Sequence, residues 1–254
     1  MTSRYPLKYQ HDYSSQFPAV RDRATRARKA VKIIRVLEDF LAHDLSGLTC
    51  LDIGCSVGVI TERLAESAGR AVGGDIDEQA VRQAARLSGQ GACFVVSDAG
   101  AAPFADGVFD FIVCSQVYEH VPSLELLVAE IYRLLKDDGV CFFSGPNRWA
   151  VMERHYGLPF LSWLPRRWAD RYVRLAGRAR EYYEHPRSFV ELRGALRQFA
   201  IHDYTPRLLS DPAHFALDEE VGWLRYVTAS VPLWVWRLLR PCVPNFNWVL
   251  TKHA

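Results

Sequence analysis

Short segments rich in aspartate, glycine and serine follow several apolar runs and are the part of the chain best suited to hold a ligand. The segment 51–58, Leu-Asp-Ile-Gly-Cys-Ser-Val-Gly, overlaps the apolar run 49–53. Glycine lets the backbone turn sharply and lets a ligand approach it closely. In an open α/β sheet, ligands bind at the carboxyl ends of the strands. The segment therefore predicts a ligand-binding loop.

The spacing of the glycines excludes two common nucleotide sites. The loop lacks the GxGxxG pattern of dinucleotide binders, and no GKS or GKT of a phosphate-binding loop follows it. Asp75 ends the next apolar run, where a carboxylate can accept two hydrogen bonds from ribose hydroxyls. Asp77 is interpreted as the N-cap of the helix that follows.

The loop resembles the first motif of class I S-adenosylmethionine-dependent methyltransferases, an acidic residue followed by Gly-x-Gly-x-Gly. Asp52, Gly54 and Gly58 match that motif, and Ser56 replaces its middle glycine. The stretch 103–121 is similar to the "LPF, FD-strand, EHV" pattern of the type 11 subgroup. The resemblance extends over about residues 48–147, with a weaker continuation.

The resemblance implies S-adenosylmethionine as the cofactor. The residues expected to bind it are Asp52, Gly54, Cys55, Ser56, Gly58, Asp75, Ile76, Asp98, Ala99, Ser115 and Gln116. Asp75 would bind the ribose, Ile76 would pack on the adenine and Asp98 would meet the adenine amino group. Two alternatives stay open: Asp52 orients the loop, and Asp98 caps a turn.

His120 is the candidate catalytic base, and the alternative is a structural histidine at a helix start. Glu119 and His120 occur in many family members with different substrates, so they indicate the family and not the acceptor. No metal site is predicted, because no Cys or His cluster has the spacing of zinc ligands.

The elements that must position these residues alternate along the chain. A helix is predicted for 22–41, and strands and helices then alternate from residue 49 onward. The predicted strands are 49–53, 71–74, 93–97, 109–115, 140–144, 201–204 and 247–252, and the predicted helices after the first are 58–68, 77–87, 124–135 and 187–199. Apolar strands joined by crossover helices predict a doubly wound α/β fold. The resemblance implies a Rossmann-like sheet of seven strands, mostly parallel, with the last strand antiparallel.

The acceptor site must come from parts outside the cofactor half. We expect residues 1–45 to form a basic helical lid and residues 46–254 the methyltransferase domain, with insertions at about 146–186 and 206–244. The first insertion resembles the "PNR, HxxLPF, WLP" segment of bacterial members, many of them near glycan or lipid biosynthesis genes. The acceptor-facing candidates are Tyr9, His11, Tyr13, Asn147, Arg148, His155, Tyr156, Tyr182 and Tyr183. Their aromatic and imidazole groups favour a small acceptor with an apolar or ring portion.

The charge is unevenly distributed along the chain. Residues 1–35 carry a net charge of +7, residues 36–147 carry −11 and residues 148–254 carry +6. Guanidinium groups bind phosphates and carboxylates, so the basic segments favour an anionic acceptor. A solvated basic face, or contact with an acidic membrane surface, explains the same count.

Composition and cysteine use narrow the class of protein. The chain has 254 residues, 49% hydrophobic and 24% charged, which is typical of a globular protein. Cys50, Cys93, Cys114 and Cys141 lie in apolar runs and are expected to be buried. Buried thiols without a CxxC pair favour a reducing compartment. Neither a signal peptide nor a membrane-spanning run is recognised, so a cytoplasmic location is expected. Peripheral membrane contact and a homodimer stay open, since aromatic residues concentrate near the end of the sequence.

The function expected from these observations is S-adenosylmethionine-dependent methylation of a small molecule, at an O or N atom of a secondary metabolite or a glycan or lipid precursor. The alternatives are a nucleic-acid methyltransferase or binder, a catalytically silent cofactor-binding subunit, and a decarboxylase or cyclase. A nucleic-acid substrate is disfavoured because Ser-Gln-Val-Tyr, and no NPPY-type motif, follows the fourth strand at 115–118.

Overall fold

A computed structural model describes residues 11, 22–89, 91–217 and 228–253. Its strands are β1 (Thr49–Ile53), β2 (Arg70–Asp75), β3 (Ala92–Val96), β4 (Phe109–Ser115), β5 (Leu135–Pro146), β6 (Met152–Glu153), β7 (Leu158–Pro159), β8 (Phe199–Asp203) and β9 (Asn245–Lys252). Its α-helices are α1 (Arg23–Leu41), α2 (Val59–Ser67), α3 (Glu78–Leu87), α4 (Leu124–Leu134), α5 (Arg166–Leu175), α6 (Phe189–Ala195), α7 (Thr205–Ser210) and α8 (Leu233–Leu239).

Within the described residues, seven strands form one sheet in the order β3-β2-β1-β4-β5-β9-β8. The pairings from β3 to β5 are parallel, and β9 runs antiparallel to both β5 and β8. The strand order reverses between β1 and β4, which is where α/β sheets bind ligands. The predicted doubly wound fold with an antiparallel last strand is confirmed.

Side-chain caps fix where the helices begin. Asp22 accepts from the amides of Ala24 and Thr25, so α1 begins at Arg23. Asp77 caps α3 through the Ala80 amide at 3.1 Å, as predicted. α2 begins differently, since its N-cap is Gly58 and no side chain caps it. The start of α2 therefore depends on the backbone conformation of Gly58.

Two apolar cores cover the sheet. One core contains Phe143, Trp248 and the inner face of α4, and the other contains Phe142, Val249 and the buried residues Ile33 and Leu37 of α1. Phe142 and Phe143, like Trp248 and Val249, are neighbours in the chain and point to opposite faces, as strand geometry requires. Helix α1 is thus part of the folded core and not a separate arm.

The first insertion has a small core of its own. Tyr156, Leu161 and Tyr182 are buried together with residues of α5. Asn147 anchors this unit, because its side-chain amide donates to the carbonyls of Pro241 and Val243, both at 2.8 Å. The second insertion lies at 206–244, and its residues 218–227 fall outside the described part of the chain.

Several predicted bounds need correction. Strand β5 spans 135–146 and not 140–144, and the helix expected at 187–199 is limited to Phe189–Ala195, because the chain turns after Leu196 into β8. Cys93 was expected to be buried, but it lies in β3 at the edge of the sheet and is exposed. None of the described helices is long and apolar enough to cross a membrane.

Candidate active site

The loop after β1 depends on positive φ angles at alternate residues. Gly54 has φ 74°, Ser56 has φ 50° and Gly58 has φ 81°. A Cβ at Gly54 would lie 2.5 Å from Cγ2 of Val117, and a Cβ at Gly58 would lie 2.6 Å from Cε1 of Phe94. Both glycines are therefore required by packing as well as by backbone conformation. Ser56 replaces a glycine at a position where a small polar residue can adopt the same conformation.

Asp75, at the end of β2, holds the loop in place. Its Oδ2 accepts from the amide of Ser56 at 2.7 Å, and its Oδ1 accepts from the amide of Asp77 at 2.9 Å. Burial raises the pKa of Asp75, and these two amides oppose that change. The carboxylate is half-buried at the carboxyl edge of the sheet. Each carboxylate oxygen has a second lone pair, so Asp75 can also accept from ribose hydroxyls.

Asp52 lies below the loop in the core. It is 2% exposed, and its Oδ2 accepts from the hydroxyl of Thr61 at 2.6 Å. Burial raises the pKa of Asp52 to about 7, against the opposing effects of Thr61 and of the positive charge of Arg26. Thr61 belongs to α2, so Asp52 joins the strand before the loop to the helix after it. Its contacts are those of a residue that orients the loop.

The remaining cofactor candidates line the same edge of the sheet. Ile76, Asp98, Ala99, Ser115 and Gln116 are all half-buried there, whereas Cys55 is buried. Oδ1 of Asp98 accepts from the amide of Gly100 at 2.8 Å, so the carboxylate also caps a turn. The acceptor aspartates at the ends of β2 and β3, together with the glycine turn after β1, form an arrangement that fits an adenosine group.

Ser115 and Gln116 lie where β4 ends. The hydroxyl of Ser115 is 2.9 Å from that of Ser144 on β5, and Nε2 of Gln116 donates to Oδ1 of Asn245 at 2.9 Å. Gln116 adopts φ 60°. The ends of β4 and β5 and the start of β9 are therefore held together beside the cofactor edge.

His120 lies in a buried cluster and not at an open edge. Its Nε2 is 3.8 Å from Oε1 of Glu119, and its Nδ1 is 4.0 Å from Oε1 of Glu184. Burial and the positive charges of His155 and His185 lower the pKa of His120 to about 3. A general base works best with a pKa near the operating pH, so this environment is unfavourable for His120 as a base.

The acceptor-facing candidates fall into four groups. Tyr9 and Tyr13 lie outside the described residues, and His11 is exposed. His155, Tyr156, Tyr182 and Tyr183 come together around Glu153 and Glu184, with 5.5 Å between the ring centroids of Tyr156 and Tyr182. Asn147 is 1% exposed, and its side-chain amide donates hydrogen bonds to two backbone carbonyls, which indicates a structural role. Arg148 is on the surface beside Trp149 and Glu191.

A pocket beside the cofactor edge contains residues that the sequence prediction missed. It is lined by Lys29, Lys32, Ser115, Gln116, Ser144, Arg154, Thr205, Leu208, Leu209, Leu217, Val243, Pro244, Asn245 and Asn247. Lys29 and Lys32 are three residues apart on α1 and so share a helix face, a signal present in the sequence. Asn245 and Asn247 alternate along β9, which puts them on one face of the sheet.

This fold and the loop between β1 and α2 define a class I S-adenosylmethionine-dependent methyltransferase domain. Residues 51–143 match the family model described as a methyltransferase domain, type 11. The predicted class, fold and cofactor are confirmed for this domain. Since the match covers only part of the chain, it establishes the domain and leaves the acceptor open.

Relatives and solved structures agree with the class. The ubiquinone biosynthesis O-methyltransferase of Methylococcus capsulatus is 37% identical over 112 residues, which are 42% of this chain and 47% of that protein. The chain spans about half the length of the curated relatives it matches. An S-adenosylmethionine-dependent methyltransferase from Mesorhizobium loti shares the fold with TM-score 0.54, 18% identity and coverage of 82% of this chain and 92% of that one.

The plantazolicin methyltransferase BpumL, solved with a triazolic desmethylPZN analog and SAH, has TM-score 0.60 and 16% identity. Its match covers 94% of this chain and 90% of that one. This likeness extends beyond the cofactor domain, but at that identity it shows the fold alone.

Proposed function

We propose that the protein methylates an oxygen atom of a small acceptor that carries an anionic group, with S-adenosylmethionine as the methyl donor. The pocket beside the cofactor edge is the observation that carries this proposal. It shares Ser115 and Gln116 with the predicted cofactor contacts. The choice of oxygen is supported by the relatives, which are named O-methyltransferases.

The pocket combines an apolar wall with positive charge. Leu208, Leu209, Leu217 and Val243 supply the wall, and the cationic residues of the lining are Lys29, Lys32 and Arg154. Among the described lining residues there is no aspartate or glutamate. A carboxylate or phosphate on an otherwise apolar acceptor would therefore find complementary charge at this pocket and a surface for its ring or chain.

The cofactor would supply an activated methyl group on a sulfonium, with S-adenosylhomocysteine as the leaving group and the hydroxyl proton of the acceptor released to solvent. The protein is left to place the two reactants. Asp75 and the loop 54–58 would hold the adenosine and the methionine portion at the carboxyl ends of β1 and β2. The pocket would hold the acceptor at the ends of β4 and β5. Bringing reactants into contact in the correct orientation is by itself a large part of the rate enhancement of a displacement reaction.

The cofactor half of the proposal is tested by calorimetry with S-adenosylhomocysteine. We expect a single site. The absence of binding at millimolar concentration would remove the proposed activity, whatever the acceptor.

The acceptor half is tested with matched substrates, hydroxylated aromatic acids and their neutral methyl esters, by the release of S-adenosylhomocysteine. We expect the acids to be preferred. Lys32→Met keeps the buried aliphatic stem and removes the charge. It should raise KM for the acids roughly tenfold, in the range expected for a lost charged hydrogen bond, and leave the esters unchanged. Lys252→Met, on β9 beside Asp137, is the matched control.

Faster turnover of the esters, or an equal effect of Lys32→Met on acids and esters, would contradict an anionic acceptor. Such a result would leave the cofactor part of the proposal intact, since that part has its own test.

A further inference from the structure

Three side chains that offer metal ligands converge where the first insertion meets the end of β4. Glu119 and His120 come from the turn after β4. His155 comes from the first insertion, in the turn between β6 and β7. One potential ligand atom from each of the three lies within 4.8 Å of the other two. The imidazole rings of His120 and His155 meet edge to face with 5.1 Å between their centroids.

Glu119 is the unusual member of this cluster. The residue is fully buried at 0% exposure, and neither carboxylate oxygen accepts a hydrogen bond from any residue in the described ranges. Its Oε1 lies 3.8 Å from Nε2 of His120, so the carboxylate faces into the cluster. A buried carboxylate without donors is costly unless it is paired with a cation or binds a metal. His155 contributes positive charge near Glu119, but no described residue donates a hydrogen bond to either carboxylate oxygen, and a bound cation would contact them directly.

Two further carboxylates lie on the Nδ1 side of the two histidine rings. Oε1 of Glu153 lies 2.7 Å from Nδ1 of His155, and Oε1 of Glu184 lies 4.0 Å from Nδ1 of His120. A histidine that binds a metal through one ring nitrogen usually donates the other to a carboxylate, which orients the ring and increases its basicity. Glu153 already makes this contact with His155, whereas Glu184 would have to move closer to His120 from 4.0 Å. With both contacts made, both rings would bind through Nε2.

We propose that Glu119, His120 and His155 bind one divalent transition-metal ion, of which Zn²⁺ is the simplest case. Two imidazoles and one carboxylate suit zinc and its neighbours, whereas Mg²⁺ and Ca²⁺ prefer oxygen ligands alone. Bonds of about 2.1 Å would bring tetrahedral ligands to roughly 3.4 Å from one another, so the side chains must close in slightly. Three protein ligands leave a fourth position for water or a substrate oxygen.

The ion would also join two parts of the fold. The amide of His185 donates to the carbonyl of Glu119 at 2.9 Å, so one backbone contact already connects the insertion to the turn after β4. A metal bound between Glu119 and His155 adds a second connection. This inference does not depend on the acceptor, and it replaces the sequence-based expectation of no metal site.

The test is metal binding by the tag-free, full-length chain after removal of metals with a chelator. We expect one equivalent of Zn²⁺ by calorimetry, and for Co²⁺ a visible absorption spectrum of four- or five-coordinate geometry. Glu119→Gln, His120→Ala and His155→Ala should each weaken Zn²⁺ binding by more than 100-fold. Glu153→Gln, which removes only the orienting carboxylate, should weaken it 10- to 100-fold.

His214→Ala is the matched control, because His214 is an exposed histidine that pairs with Asp39 on another face of the protein. It should bind Zn²⁺ as the wild type does. Binding of Zn²⁺ should raise the melting temperature of the wild type, and Glu119→Gln should abolish that increase. Glu119→Gln is nearly isosteric, which keeps the test valid if the alanine variants do not fold.

Less than one equivalent of Zn²⁺ on the wild type would overturn the proposal. Equal binding by wild type and Glu119→Gln would overturn it as well. In either case the cluster would be an ion network without a metal.

Discussion

The cofactor edge and the first insertion both bury carboxylates, but they stabilise them by different means. At the cofactor edge, Asp75 and Asp98 accept hydrogen bonds from backbone amides. The donors lie two residues further along the chain or, for Ser56, in the loop after β1. Where the insertion meets the turn after β4, Glu119 faces the ring of its chain neighbour His120, and Glu184 faces the same ring from a distant segment. Backbone donors keep a carboxylate ionised and fixed. Histidines leave it dependent on protonation or on a bound cation.

The largest expected effect is on the cofactor edge. Asp75→Ala removes the predicted ribose acceptor and also the acceptor of the Ser56 amide, so S-adenosylhomocysteine should bind on the order of 100-fold more weakly, as for two charged hydrogen bonds. Calorimetry measures this. Asp77→Ala removes the helix cap beside it and should cost about 1 kcal/mol of stability with little change in binding. Binding by Asp75→Ala within threefold of wild type would show that the loop holds the cofactor without it.

The second effect concerns the packing of the loop. Gly58→Ala places a methyl group against Phe94 in a left-handed conformation and should reduce the free energy of unfolding by roughly 2–4 kcal/mol. Gly177 has φ 64° and open space where a Cβ would lie. Gly177→Ala should therefore reduce the free energy of unfolding by only about 1 kcal/mol, through backbone strain. Urea denaturation of both variants compares them. Equal costs would mean that Phe94 moves aside.

The insertion provides the third comparison. Asn147→Ala leaves the carbonyls of Pro241 and Val243 without their donor and should cost about 2 kcal/mol, the penalty for buried unpaired groups. Trp163→Phe removes one bond from a partly exposed indole, to the carbonyl of Ala150, and should cost less. Affinity for S-adenosylhomocysteine should be unchanged in both variants. A loss of affinity in Asn147→Ala would show that the first insertion and the cofactor edge are energetically coupled.

The smallest effect is the pH dependence of the cofactor half. Burial raises the pKa of Asp52 to about 7, so the stability that its protonated form contributes is present at low pH and lost as the pH rises toward 7. Asp52→Asn keeps an acceptor for Thr61 and does not ionise. Between pH 6 and pH 8 it should gain about 1 kcal/mol relative to wild type in urea denaturation. A constant difference would show that Asp52 stays ionised throughout.

The same contrast explains what sequence could predict. The loop 51–58, the cap at Asp77 and the strands β1 and β4 are local features, because each depends on residues close together in the chain. Glu119 and His155 are 36 positions apart, and no spacing rule connects them. The role of Asn245 depends on the pairing of β9 with β5, and that of Lys32 on the packing of α1 beside the pocket. Apolar periodicity specifies neither. The acceptor-facing roles of Tyr9 and Tyr13, which lie outside the described residues, stay predictions.

The position of β9 has a consequence for how the chain reaches its native state. This strand comes after the other described elements, yet it lies inside the sheet between β5 and β8. Strand β8 therefore has no sheet partner until residues 245–252 have been synthesised, and the edge of β5 is exposed until then. Completion of the sheet should be a late, nonlocal step of folding, and such steps are slow. Shortening the chain before Asn245 would remove two strands from the sheet, although only one of them would be missing from the sequence.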